Sequence, residues 1–212
     1  MKKGDSAGGP GRLRSFDPAR IADLEYRAWV AYYRRQWPQL LAASVGLVHA
    51  GFGLDWLRTL HGAWLVLRAN QLWAPAAGND PEGARRCMRR FYALVRLTCG
   101  EPQDPAEAAR LEVDWWRAHR QRRRPTAPGE AGAAGAGEIR DDLVDAVARL
   151  YAFLYREPES EVRPAATHRA RAMSISDQWV AEGRHADSPL LPLEHAALVR
   201  SYAALLAVVH HA

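Results

Sequence analysis

Residues 17–38, DPARIADLEYRAWVAYYRRQWP, and residues 104–125, DPAEAARLEVDWWRAHRQRRRP, are identical at ten of 22 positions without a gap. A segment repeated at this length marks one supersecondary unit used twice, whose copies bury their apolar faces together. The match continues more weakly. LVHAGFGLDWL (47–57) lies against LVDAVARLYAFL (143–154), and HGAWLVLRANQLWAPAAGND (61–80) against HRARAMSISDQWVAEGRHAD (168–187). RFYALV (90–95) matches RSYAAL (200–205). The third pairing competes with a slide that sets Arg68 and Ala69 on Arg171 and Ala172.

Each half therefore offers four helical segments in the same order. Asp17-Pro18 and Asp104-Pro105 are helix starts, a capping carboxylate before a proline pre-set for the first turn. Asp104 with Glu107 adds a capping-box pattern. Pro38 and Pro125 end the matched stretches, because proline cannot continue a helix without losing a bond. The pattern predicts helices over 18–36, 39–50, 55–73, 81–98, 105–123, 139–155, 164–181 and 192–209. No period-2 run of β-branched residues calls for a strand.

The expected fold is all-α: a single bundle of about eight helices from two tandem, pseudo-symmetric four-helix repeats, 17–99 and 104–209. Halves of this size gain from shared burial, so one domain over 16–209 is expected rather than two. Residues 1–15 read as a disordered, basic, Gly-rich leader, and 126–137 (TAPGEAGAAGAG) as a flexible loop inside the second repeat.

The formal net charge is +5, and of the 29 Lys and Arg residues only Lys2 and Lys3 are lysines. Arg117, Arg120, Arg122, Arg123 and Arg124 crowd the end of the fifth helix, where cations complement the carbonyl end of the dipole. A solvated helix end accounts for them, and the aromatic-plus-basic signatures of RNA-binding modules are absent, so nucleic acid is not the expected partner. Cys87 and Cys99 on one helix stand about 18 Å apart at 1.5 Å per residue, too far for a disulfide. With a leader that lacks an apolar core and no membrane span, the sequence is read as cytoplasmic.

Two acidic side chains interrupt apolar faces. Around Glu25 lie Ile21, Ala28, Trp29 and Tyr32; around Glu112 lie Ala108, Trp115, Trp116 and His119, at helical spacing. A carboxylate buried there must be paired, protonated or bound to a cation. An arginine partner, or donors from a Trp indole or Tyr hydroxyl, would make both structural. Metal ligation or acid–base work is the alternative.

His61 sits among Leu57, Trp64, Leu65 and Arg68, and His168 among Ala172, Ile175 and Trp179. If symmetry brings Glu25, Glu112, His61 and His168 to the dyad, they make a first shell for a transition metal such as iron or manganese, or for two. Tyr32 and His119, at matching positions, would then serve proton transfer. The di-metal carboxylate bundles offer an architectural analogy only, because this chain contains no Glu-x-x-His.

On this reading the protein is a metal-dependent oxidoreductase acting on a small molecule. Two other readings stay open. One is a non-catalytic interaction or assembly protein with structural glutamates and a protein partner. The other is a haem- or small-ligand-binding module, since the eight tryptophans could line a cavity or simply fill a core. Phosphate loops, Cys-x-x-Cys, His-Glu-x-x-His and nucleophile elbows are missing.

Overall fold

The computed structural model describes residues 12–122 and 141–210. All but the last four residues of the expected leader, and the whole of the expected loop 126–137, lie outside them. Within them, a 3-10 turn, Arg12–Arg14, precedes eight α-helices: α1 Pro18–Tyr33, α2 Trp37–Phe52, α3 Trp56–Trp73, α4 Pro81–Cys99, α5 Pro105–Arg122, α6 Asp141–Tyr155, α7 Glu159–Ala181 and α8 Leu190–Val209. The described residues contain no strand.

Local chemistry sets most boundaries. Asp17 accepts hydrogen bonds from the Ala19 and Arg20 amides at 3.0 and 3.2 Å, and Asp104 from Ala106 at 2.8 Å. Asp55 and Asp80 cap α3 and α4 in the same way, through Arg58 at 2.9 Å and Gly83 at 2.7 Å. Gly53 and Gly100 end α2 and α4 in the left-handed conformation that a side chain would resist. Helix α7 starts earlier than Pro164 suggests. The proline sits in its second turn and faces solvent, so the helix runs through it at the loss of one amide donor.

Each helix packs against its successor, and α8 packs back onto α1. The links of three residues between α1 and α2, α2 and α3, and α6 and α7 force neighbours to run antiparallel. The result is a closed ring of eight staves. Small residues let the staves approach: Ala22, Ala172 and Ala197 are fully buried where α1, α7 and α8 meet. Ala28, Ala31 and Ala43 do the same with Leu40 and Leu67 between α1, α2 and α3.

The two ends of the ring differ. The end formed by the start of α1 and the close of α6 and α8 is plugged by the segment before α1. There Leu13 is buried, and Arg14 pairs with Glu157 at 2.8 Å and Glu101 at 3.4 Å while donating to the Tyr155 carbonyl. Phe16 packs edge-on against Tyr202 above it.

The other end gathers the C-termini of α1, α3, α5 and α7. Arg35 donates to the Ala74 carbonyl, Arg120 to Trp73 and Pro75, and Arg184 to Tyr33, which satisfies carbonyls left open by the helix ends. Among the described residues α8 alone is long and apolar enough to cross a membrane by length and composition. Here it is a stave held between α7 and α1.

Candidate functional site

The ring encloses a cavity of about 660 Å³ lined by side chains from all eight helices. Its exposed lining residues, Arg35, Ala76 and Arg184, all stand at the arginine-rimmed end, which is therefore the mouth. The wall is largely aromatic, with Trp29, Trp73, Trp115 and Trp116 among its contributors. Trp73 and Trp116 lie with ring centroids 5.7 Å apart, and Trp115 meets Trp116 edge-on.

Two carboxylates break this apolar lining. Glu25 on α1 is 4 % exposed. Arg169 on α7 grips both its oxygens, one of them at 3.1 Å, and the Tyr202 hydroxyl on α8 donates to it at 2.6 Å. Arg169 also donates to the Tyr151 and Tyr202 hydroxyls, and its guanidinium lies 5.7 Å from the Trp29 ring centre and 5.4 Å from that of Trp115. Burial works against this charge, but Glu25 and the tyrosine oxygens outweigh it and hold the guanidinium well above its ordinary pKa. The arginine is a fixed cation.

Glu112 on α5 has a different setting. Tyr92 on α4 donates to one oxygen at 2.8 Å, and the Trp116 indole to the other at 3.1 Å. No cation stands within ion-pair distance of it among the described residues, although the charge of Arg169 reaches it through the cavity. Burial raises the pKa of Glu112, against the pull of Tyr92, Arg169 and the Trp115 and Trp116 indoles. Burial likewise drives the Tyr92 phenol well above its usual range, with Glu112 adding to the effect. Glu112 with Tyr92 is thus a hydrogen-bonded carboxyl facing the cavity.

Of the six residues singled out by sequence, four line this cavity: Glu25, Tyr32, Glu112 and His119. Tyr32 packs edge-on against Tyr33 and Trp37 near the mouth. His119 reaches across to α7, where its Nε2 lies 3.0–3.1 Å from both oxygens of Asp177.

The structure does not bring the two histidines to the glutamates. His61 is exposed on the outer side of α3, beside Leu57 and Trp64, which are themselves 83 % and 52 % exposed. His168 is partly buried on α7, outside the cavity. Burial and the charges of Arg200 and Arg171 lower its pKa. On α3 the cavity is met by Val66, Asn70 and Trp73, and on α7 by Arg169, Met173 and Val180. At 100° per residue His61 points nearly opposite to Asn70, and His168 stands a quarter turn from Arg169. Among the described residues, no three His, Cys, Asp or Glu side chains gather as a metal would require.

Sequence reasoning singled out neither Arg169 nor its tyrosine partners, though RFYALV and RSYAAL, flagged as a repeat, carry Tyr92 and Tyr202 at the same place. It also passed over Glu194 on α8, which is fully buried and has no hydrogen-bond partner on either oxygen among the described residues. Burial, with Glu25 and Asp177 adding negative charge, pushes its pKa up to about 8 despite Ser176 beside it. Nothing in LPLEHAAL distinguishes such a residue from a surface acid.

Comparison with known proteins finds no family model, no curated protein and no solved structure that matches this chain.

Proposed function

We propose that this protein binds a small, largely apolar organic molecule inside its helical ring, and that the ring is a tandem duplication. One observation carries the first part: a cavity of about 660 Å³, lined by every helix and largely aromatic, open at one end and crossed by a few fixed polar groups. Ligand sites have this composition and depth, whereas protein cores fill such space.

The duplication is supported by burial. The competing slide, with Arg68 and Ala69 on Arg171 and Ala172, sets buried Thr59, Gly62, Ala63 and Trp73 on buried Val162, Ala165, Ala166 and Ser176. The same slide carried back to α2 sets Leu40, Ser44 and Val48 on Leu143, Val147 and Tyr151, all buried. It also sets His61 on Pro164, so the two histidines are not counterparts.

A metal-dependent oxidoreductase built on Glu25, Glu112, His61 and His168 has no comparable support, since those four side chains do not converge. A second reading, contact with a protein partner, is favoured by the outer stripe of α3, where Trp56, Leu57, Leu60 and Trp64 are all more than half exposed.

The ligand reading is tested by thermal-shift screening of apolar aromatic compounds against the full chain and a Val66→Trp variant that fills the cavity. Compounds that stabilise the chain but not the filled variant are expected. Equal shifts in both, or none in either, would sink the reading.

A further inference from the structure

We propose that the ligand carries a basic nitrogen, an amine on an apolar body, which sits as a cation against Glu112 in the half of the cavity lined by Val48 and Val66. This inference rests on the ligand-binding reading above and specifies its chemistry.

The argument is a comparison of two halves of one cavity. Glu25 and Glu112 hold the same place in the matched stretches of α1 and α5, four staves apart in the ring. Each accepts a tyrosine hydroxyl from the stave before it, Tyr202 of α8 at 2.6 Å and Tyr92 of α4 at 2.8 Å. Beyond that shared pair the halves part. Glu25 has Arg169 on α7, steadied by Tyr151 on α6. The slide that matches burial puts Val66 of α3 where Arg169 stands and Val48 of α2 where Tyr151 stands, and both valines line the cavity.

Glu112 therefore has the tyrosine of its counterpart but neither the guanidinium nor the hydroxyl that supports it. In their place is open, apolar space. A carboxylate withdrawn from water without a cation is costly, and the nearby guanidinium is already bonded to Glu25 and two tyrosines. An ammonium group beside Glu112 supplies the missing charge, and the faces of Trp115 and Trp116 add cation–π attraction. The apolar body then lies against Val48, Val66 and Phe91.

The mouth constrains how such a ligand arrives. Arg35, Arg120 and Arg184 rim it and repel a cation. A neutral amine passes them without that penalty. Beside Glu112, where burial raises the carboxyl pKa, the nitrogen lone pair takes up one proton, the carboxyl's own where it holds one and otherwise one from solvent, which leaves carboxylate and ammonium as a pair. No other reactant is needed. An anionic ligand would be held at the rim and would find no ion-pair partner at Glu112.

The test uses three probes on one skeleton, naphthalen-1-ylmethylamine, naphthalen-1-ylmethanol and 1-naphthoic acid, titrated calorimetrically into the full chain. The amine is expected to bind about ten-fold or more tightly than the other two, the ratio of a charge-assisted to a neutral contact. Glu112→Gln should erase that preference and leave the alcohol unchanged. Val66→Arg, which places a guanidinium in the vacant position, should also erase it, and serves if the first variant folds poorly. Binding of the alcohol or acid without preference for the amine overturns the inference while leaving the ligand reading intact. Equal loss of amine and alcohol in both variants overturns it too. Binding of none of the three by the wild-type chain overturns both.

Discussion

Arg169 on α7 holds both carboxylate oxygens of Glu25 on α1, across the intervening α8, so one ion pair spans three adjacent staves of the ring. Removing one partner strands the other's charge, largely buried, without its counter-ion. Glu25→Ala is expected to destabilise the fold by about 3–5 kcal/mol, measured by urea unfolding. Glu25→Leu combined with Arg169→Met should recover most of that loss, because no unpaired charge remains. A double variant as unstable as the single one would show that the pair contributes more than charge balance.

Glu194 gives the fold a dependence on pH of definite sign. Its native pKa of about 8 lies above its ordinary value of 4.5. The stability it contributes as an acid is complete below that ordinary value and is lost as pH rises through about 8. Between those limits wild type should lose about 1.4 kcal/mol per pH unit relative to Glu194→Gln, which cannot ionise. Urea unfolding of both proteins across that window checks this. Parallel stability profiles would mean the native carboxyl ionises normally.

Arg14 ties the segment before α1 to the link after α4, through Glu101, and to the close of α6, through Glu157 and the Tyr155 carbonyl, at the plugged end of the ring. Its pKa stays raised despite burial, because the hydrogen bond to Glu157 and the charge of Glu101 favour the cation. Arg14→Ala should lower stability by about 1–3 kcal/mol and raise amide exchange around Phe16 and at the close of α6. Unchanged exchange at α6 would place the anchor elsewhere.

The outer stripe of α3 should respond differently from its inner face. Leu60→Glu changes a side chain that is 53 % exposed, so unfolding free energy should move by no more than about 0.5 kcal/mol. Ala63→Glu, three residues on and fully buried, should prevent folding. The same Leu60→Glu protein in light scattering reports whether the stripe supports self-association.

Much of the fold is legible in the residues. Asp-Pro pairs mark helix starts, and the LExxxW repeat identifies both cavity-facing carboxylates. Trp116 is legible as a neighbour of Glu112 at helical spacing, but the partner of Glu25 is not, because the chain is rich in arginine and which one reaches Glu25 depends on where α7 falls in the ring. The histidines mislead for a related reason. Leu57 and Trp64 make the surroundings of His61 look like a core, yet both point to solvent, since a helix shared between a cavity and an outer surface carries apolar residues on two sides. The second and third pairings of the proposed repeat compete with slides of a turn or two, because small and apolar residues recur along α2, α3, α6 and α7; the burial pattern favours the slide.

Closure of α8 onto α1 has one more consequence. His210 Nδ1 lies 3.4 Å from the Arg14 carbonyl oxygen, so the first and last staves meet where the chain could be joined. A hoop has no preferred starting stave. A chain joined there and opened between Gly100 and Asp104 would run α5 to α8 and then α1 to α4, exchanging the order of the halves while keeping every neighbour. Such a circular permutant should fold to the same hoop, and its cavity would hold the same two glutamates in reversed order along the chain.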